Sequence, residues 1–279
     1  MKPVAVVTDS TSDIPADVAA ALNINIIACN VHFDAEVFRE RVDLSAEQFY
    51  QKLHVAPRLP KTSQPSVGAF LELYRPLTQT CSAIVSVHLA GKLSGTLQSA
   101  TLAAAEIHEV PIVTLDSGSA SMGLGWLAIL AARAASSGAS FEEVTDLIGK
   151  ATPRVRVLAL LAHLDNLVKG GRIGKGAALL GTMLNVKPLL EIKDGEVLAL
   201  ERVRSWQKAK TRLVELTRSF GTLDELAVLH THAVQEGEQL ANELRAVFPR
   251  TQIMIAEAGA VLGTHAGQGA LGVAAIVHE

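Results

Sequence analysis

The chain reads as an α/β protein of two domains. Strands and helices alternate through its first half, which predicts a mostly parallel sheet with helices on both faces. Beyond Thr152-Pro153 the pattern changes, and Asp194-Gly195 between two apolar runs is a strong hairpin signal, so the second half is predicted to be an α/β domain with antiparallel pairing. The expected domains are 1–153 and 154–279. With 279 residues, 49% of them hydrophobic, the chain can bury a core in each.

The elements follow in order. Val4–Asp9 is an apolar strand, and Ser12-Asp13-Ile14-Pro15 has the cap residue and early proline of a helix start. Asn25–Val31 reads as a second strand. Ser45-Ala46-Glu47-Gln48 has the form of a capping box for a helix to Leu53. A proline-rich loop from Pro57 to Pro65 leads to a helix over Ser66–Leu77, then a strand at Ala83–Val87 and an alanine-rich helix over Thr96–Ile107. Pro111–Leu115 is a strand, Ala120–Ser137 a long helix stopped by Gly138, and Ser140 starts another helix. In the second half, strands are expected at Val155–Leu161, Asn185–Ile192, Val197–Val203, Leu226–His230, Gln252–Ala256 and Leu271–Val277. Helices are expected at Leu164–Val168, Ser205–Ser219 and Gln235–Val247, and a glycine-rich loop precedes the last strand.

Composition excludes several classes. Net charge is −3, which argues against broad nucleic-acid binding. No run approaches the roughly eighteen uncharged apolar residues of a membrane span. The start, Met1-Lys2-Pro3-Val4, lacks the pattern of a cleavable signal, so a cytoplasmic location is expected. Cys29 and Cys81 sit in or beside apolar runs and read as buried thiols of a reducing compartment. The histidines show no paired ligand spacing, so no metal site is expected. Gly267-Gln268-Gly269-Ala270-Leu271-Gly272 fits the dinucleotide string but precedes a strand near the chain end, where no βαβ unit can be built. Gly123-Leu124-Gly125 falls inside a helix, and Gly174-Lys175-Gly176 lacks the rest of a P-loop. The chain carries no recognisable ATP site.

The most informative phrase is His88-Leu89-Ala90-Gly91-Lys92-Leu93-Ser94-Gly95-Thr96, which turns a strand into a helix start. Unpaired N–H groups and the helix dipole suit that end to an anion, and Ser94 adds a hydroxyl; an ordinary N-cap has the same appearance. Lys61-Thr62-Ser63-Gln64-Pro65-Ser66 and Asp116-Ser117-Gly118-Ser119 are further hydroxyl loops that could meet at the carboxyl ends of parallel strands. Each is equally compatible with turn and cap chemistry. Lys169-Gly170-Gly171-Arg172-Ile173-Gly174-Lys175, with Arg202 and Arg204 two apart on a strand, makes either a phosphate-attracting edge or a solvated one. Ser94 lacks the G-x-S-x-G frame of a hydrolase, but an acyl hydrolase using Ser94 and His265 stays open.

Taken in order, these phrases resemble the DegV family, the fatty-acid-binding subunits of bacterial fatty acid kinase. The resemblance runs through Thr8-Asp9-Ser10-Thr11-Ser12-Asp13-Ile14-Pro15, Thr62-Ser63-Gln64-Pro65-Ser66, Leu93-Ser94-Gly95-Thr96 and Asp116-Ser117 with Gly123 and Gly125. It continues in Gly170-Gly171-Arg172-Ile173-Gly174, Lys187-Pro188-Leu189-Leu190 and Gly263-Thr264-His265-Ala266-Gly267. It implies one long-chain fatty acid in an apolar tunnel between two α/β domains. The carboxylate would be held by Thr62, Ser94 and His265 with the Gly95 amide, and Ser63, Ser117 and Ser119 would form a secondary polar pocket. Arg172 and Arg204 would meet a separate subunit similar to dihydroxyacetone kinases, which brings ATP and Mg and forms the acyl-phosphate. A plain lipid carrier without a kinase is the further alternative.

Exchange with the inner face of a membrane is implied as well, with a helix after Gly174 carrying Ala177, Leu179, Leu180 and Met183 as the gate. Two departures stand out: Ala90-Gly91-Lys92 replaces a serine-rich stretch, and Gln268 stands where proline is usual.

Overall fold

Alternation of chain direction and apolar residues builds five layers around one buried helix. The computed structural model describes residues 2–179 and 186–279. The elements of the first half are β1 (Val4–Asp9), α1 (Ala16–Ala21), β2 (Ile24–Ile27), β3 (Asn30–Phe33), β4 (Glu36–Arg39), α2 (Ala46–Val55), β5 (Lys61–Ser63), α3 (Val67–Thr80), β6 (Ala83–His88), α4 (Thr96–Ala105), β7 (Ile112–Asp116), α5 (Met122–Ser136) and α6 (Phe141–Ala151). Those of the second are β8 (Val155–Leu160), α7 (Asp165–Lys169), β9 (Lys187–Lys193), β10 (Glu196–Val203), α8 (Trp206–Arg218), β11 (Leu223–His230), α9 (Val234–Val247), β12 (Ile253–Glu257), α10 (Ala260–Ala266) and β13 (Leu271–Val277).

Among the described residues, β2-β1-β6-β7 form a parallel four-stranded sheet. The six-stranded sheet β10-β9-β8-β13-β11-β12 is mixed: only β11 and β12 run parallel, and its other pairs are antiparallel. A small antiparallel sheet, β4-β3-β5, flanks them. Period-two alternation decides which side each helix covers. Val7 and Ile84 face α3 and α4 through Phe70, Tyr74, Ala100 and Ala103. Val6, Val85 and Val87 face the other way, onto Leu124 and Leu127 of α5 and Val144 and Ile148 of α6. The far side of the mixed sheet is closed by α8 and α9 through Leu213, Leu240 and Leu244.

Helix α5 lies between the two large sheets. It is apolar all round because it has sheet on both sides. The indole Nε1–H of Trp126 donates to the carbonyl of Ala274 on β13 at 3.0 Å. Gly125 faces the carbonyl of Ser12: a Cβ there would sit 2.6 Å from that oxygen, so the helix approaches the β1–α1 turn at glycine distance.

Local chemistry sets the element ends. Ser45 with Gln48 and Ser140 with Glu143 make full capping boxes at α2 and α6. Asp194 and Gly195 both have positive φ (51° and 74°), which the β9–β10 hairpin requires. The tip of that hairpin docks on the first half, where Gly195 N–H donates to Gly118 O at 2.8 Å.

Three sequence expectations are corrected. The run 25–31 is not one strand; the chain leaves the parallel sheet between β2 and β3, where Cys29 N–H donates to Ser10 Oγ at 3.0 Å and Cys29 O accepts from Glu40 N–H at 2.9 Å. Ser12 does not cap α1: residues 10–12 form a 3-10 turn, Asp13 is left-handed, and the helix starts after Pro15. The glycine-rich loop before the last strand contains α10. Of the expected gate, residues 174–179 form a 3-10 helix, while Leu180 and Met183 lie outside the described residues, as does Asn185.

The tight approach of α5 yields a stability test. Ala normally stabilises a helix over Gly by about 1 kcal/mol. Gly125→Ala is expected instead to destabilise by roughly 1–3 kcal/mol through overpacking against Ser12 O. Gly149→Ala in α6, where a Cβ meets nothing within 4 Å, is the matched control and is expected to stabilise. Urea denaturation of both variants measures the difference in sign.

Candidate functional site

A cavity of about 1140 Å³, including its open mouth, lies between the mixed sheet, α10 and the loops at the carboxyl ends of the parallel strands. Its floor follows from strand register. Leu190, Ala159, Gly272 and Leu229 are successive partners across β9, β8, β13 and β11, so they form one row on the same face. The small residues at the centre of that row make a trough between the two leucines. Val157, Ile192, Val261 and Leu262 complete apolar walls. Thr62, Gln64, Ser94, Arg172 and His265 all line this space, as do Thr11, Ser63, Ser121, His230 and Thr231.

Thr62, Ser94 and His265 arrive on different elements. Thr62 lies on β5 opposite Val31, and His265 in the last turn of α10; the threonine hydroxyl and the imidazole meet at 3.1 Å between Thr62 Oγ1 and His265 Nε2. His265 Nδ1 is buried with no hydrogen-bond partner, and a Cβ at Gly170 would lie 2.4 Å from it, so glycine there lets the ring sit against the α7 terminus. An unpaired acceptor costs less than an unpaired buried donor. The proton therefore belongs on Nε2, which donates to Thr62 and leaves the Thr62 hydroxyl proton free for a ligand oxygen. Burial, aided by the nearby Arg172 charge, lowers the His265 pKa to about 4, so the ring is neutral at neutral pH.

Ser94 sits in the β6–α4 loop, folded by Leu93 N–H and Ser94 N–H donating to Ala90 O. Its hydroxyl lies 2.9 Å from Thr96 Oγ1 and accepts from Thr96 N–H at 3.3 Å. Gly95 is the N-cap of α4, and the Gln64 side-chain amide packs where a Cβ would be, at 2.9 Å. Asp116 ties this loop to the next one, accepting from Gly91 N–H at 3.2 Å and Gly118 N–H at 2.8 Å.

The structure thus brings Thr62, Ser94 and His265 to one cavity, with Gly95 adjacent to Ser94. Ser63 also lines the cavity, and its hydroxyl meets His32 Nε2 at 2.8 Å. Ser117 and Ser119 bond each other within a buried turn and are not among the cavity walls. Arg172 lines the cavity mouth and is held there by Nη1–H donating to Gly170 O at 2.8 Å. Arg204 is exposed just beyond β10 and is not among the cavity walls. Lys92 points to the hairpin, 3.8 Å from Glu196. Sequence reading missed Gln64 as a wall residue, although it adjoins Thr62 and Ser63. It also missed Cys29 and Thr231, whose position in the wall depends on the break before β3 and on the β11 register.

A hydrolase needs its nucleophile hydrogen-bonded to a base. Here Ser94 pairs with Thr96, and His265 with Thr62. The one chain with triad order among the described residues, Asp9–His88–Ser86 continued by Tyr74, is sealed in the interior and does not reach the cavity.

The geometry defines a class: an α/β protein with an apolar cavity between a mixed sheet, a short helix and the loops beyond a parallel sheet, lined by a hydroxyl–imidazole group. A model of the DegV family matches residues 3–278. The chain is 33% identical to Protein DegV of Bacillus subtilis over 274 residues, covering 97% of this chain and 98% of the relative. It is also 33% identical to a DegV domain-containing protein of Halalkalibacterium halodurans over 277 residues, 98% of each chain. Among solved structures, a fatty-acid-binding DegV family protein from Thermus thermophilus superposes with a TM-score of 0.92 at 31% identity, over 99% of this chain and 100% of that one. Bacillus subtilis DegV, described as a fatty acid binding protein, gives a TM-score of 0.92 at 32% identity over 100% of both chains. This chain belongs to the DegV family.

The His265 environment gives a titration test. A base whose folded pKa is lowered from its ordinary value to about 4 leaves the folded chain with fewer bound protons than the unfolded one across that window. Stability attributable to His265 is therefore complete above about pH 6.5 and declines as pH falls toward 4. An NMR titration of the ligand-free chain is expected to place the ring midpoint near 4, and Arg172→Gln to raise it without restoring the ordinary value.

Proposed function

We propose that this chain binds a long-chain fatty acid in the cavity and presents its carboxylate to a separate ATP-dependent kinase subunit similar to dihydroxyacetone kinases. The observation that carries this reading is the joint arrangement: an apolar trough on the mixed sheet, with Thr62, Ser94 and His265 in the same cavity. The fatty-acid-binding descriptions of the Thermus and Bacillus relatives support it.

In this reading Thr62 and Ser94 hydroxyls and His265 Nε2–H donate to the carboxylate, with the Gly95 amide near the same end. Roughly fifteen methylenes at ~0.8 kcal/mol each give on the order of 12 kcal/mol of gross burial. Each hydrogen bond to the charged head adds only about 1.5–3 kcal/mol net. The acyl chain therefore supplies most of the affinity, and the polar group fixes where the carboxylate stands. Placement is what in-line phosphoryl transfer needs. A carboxylate oxygen would attack the terminal phosphorus of ATP held with Mg on the partner, giving acyl-phosphate and ADP. Arg172 at the mouth and the exposed Arg204 are the residues proposed to meet the partner or the phosphate.

We take residues 1–153 and 154–279 as the two domains that enclose the ligand, and the edge carrying exposed Val168 and Lys169 as the side that contacts the inner face of a membrane during exchange.

Native mass spectrometry of the purified chain, compared with the denatured mass, tests the ligand: an added mass equal to a long-chain acid is expected in the native spectrum only, and its absence after incubation with oleate would sink the reading. For the second half of the proposal, Ser94→Ala with a purified kinase of this kind and ATP is expected to lower acyl-phosphate formation at least tenfold while the variant stays folded. Unchanged turnover would remove Ser94 from its role.

A further inference from the structure

The Thr8–Pro15 phrase contributes only Thr11 to the cavity wall, yet its carboxyl groups hold one side of the cavity in place. Asp13 is fully buried in a left-handed turn. Its Oδ1 accepts from Gly259 N–H at 2.9 Å, and its Oδ2 meets the hydroxyl of Ser121 at 2.6 Å. Glu40, from the turn after β4, is 2% exposed; its Oε1 accepts from Val261 N–H at 2.8 Å, and its Oε2 has no partner. Two carboxyl groups from separate segments thus grip the start of α10, whose last turn carries His265. Val261, Leu262, His265 and Ala266 of α10, and Ser121 itself, are cavity walls.

We propose that Asp13 and Glu40 form a proton-operated latch on α10: with Asp13 protonated the helix is held closed over the cavity, and loss of that proton loosens it and speeds release of the acyl ligand. The part concerning ligand rests on the fatty-acid reading above; the latch itself does not.

The charge inventory around the pair supports this. Arg41 Nη2, 3.6 Å from Asp13 Oδ1, is the cation beside both carboxyl groups, and its Nη1 is committed to Ile14 O. Asp9 adds negative charge near Glu40 but is paired with His88 at 3.0 Å. Tyr50 donates to Ala258 O at 3.1 Å, and His232, stacked on Tyr50, lies 3.6 Å from Glu257. Two ionised carboxylates would therefore share one guanidinium in the interior. Burial, against the pull of Arg41, pushes the Asp13 carboxyl up to about 7, and burial raises Glu40 as well. A carboxyl whose pKa is raised in the closed form binds its proton there and releases it when α10 opens and water reaches it. Acid thus favours closure, the closed form is penalised by up to tenfold per pH unit between the ordinary carboxyl value and about 7, and the penalty levels off above that.

Hydrogen exchange of the ligand-free full chain reads the latch directly. After division by intrinsic rates, protection of the Gly259 and Val261 amides is expected to fall about tenfold between pH 6 and pH 8. Asp13→Asn keeps an acceptor for Gly259 and a donor for Ser121 and tolerates the left-handed backbone; it is expected to abolish that slope. A flat profile in the parent chain, or a parental slope in Asp13→Asn, overturns the proposal. Should Asp13→Asn not fold, carbon-13 titration of the Asp13 carboxyl in the parent chain decides: a midpoint near 7 supports the latch and one below about 5 overturns it. Release of bound cis-parinaric acid into phosphatidylcholine vesicles is expected to accelerate by a similar factor over the same range, and not in Asp13→Asn. An exchange slope without any lipid binding leaves the latch standing and removes the fatty-acid reading; binding with flat exchange does the reverse.

Discussion

From Met122 to Ala132 helix α5 has no free face, and the rest of the molecule is arranged around that constraint. Its buried side chains run from Met122 to Ala132 and include Trp126, which reaches across to β13. An apolar helix of this kind is stable only when covered on both sides, so the two large sheets must stand against it rather than against each other. Their separation is set by the helix diameter where α5 lies. Beside it the row Leu190–Ala159–Gly272–Leu229 of the mixed sheet faces the cavity, which α10 and the loops beyond the parallel strands close on its other sides. Site and core thus share one face of the mixed sheet, with Val157 and Leu229 belonging to both.

Buried polar groups cluster next to that core; most carry hydrogen bonds, while Glu40 Oε2 and His265 Nδ1 have no partner. Asp9 shows how. Burial drives its carboxyl up, but hydrogen bonding and attraction to His88, with further bonds from Thr11 and the Leu89 N–H, outweigh burial and hold it below its ordinary value. Its bond to Leu89 N–H, at 3.0 Å, anchors the start of the loop that presents Ser94. Asp13, four residues on, reaches the opposite wall at α10. One short turn after β1 therefore positions both flanks of the polar end without supplying its hydroxyls or its imidazole.

Much of the architecture was legible because it rests on local rules. Capping boxes at Ser45 and Ser140, the Asp194-Gly195 turn and the alternation that sorts Val6 from Val7 are decided within a few residues. The failures are where distant partners decide. The continuous β-like run through Cys29 breaks because Ser10 and Glu40 claim its backbone groups. Seven residues at 260–266 become a helix whose first N–H groups are held from Asp13 and Glu40, far away in sequence. The site was harder still. Thr62 and His265 are 203 positions apart, and no spacing rule links them; their pairing was reachable only through the ordered resemblance of many phrases. For Arg172 the basic, glycine-rich loop left a phosphate-attracting edge and a solvated one both open. Its place at the mouth follows from backbone carbonyls at Gly170 and Leu93 that accept its guanidinium.

This division explains how one cavity can combine tolerance with discrimination. The trough is lined by aliphatic and small side chains whose attraction is non-directional, so it rewards apolar area without fixing a chain's exact atoms. The mouth does the opposite. His265 is neutral, and a carboxylate there would offer an acceptor to each of the Thr62 and Ser94 hydroxyls and His265 Nε2–H, so that no donor is left stranded. A neutral ester or alcohol offers fewer acceptor sites to those donors than a carboxylate, and it gains nothing from Arg172. In the fatty-acid reading, length would be read by area along the trough and charge by the polar cluster, with α10 contributing to both.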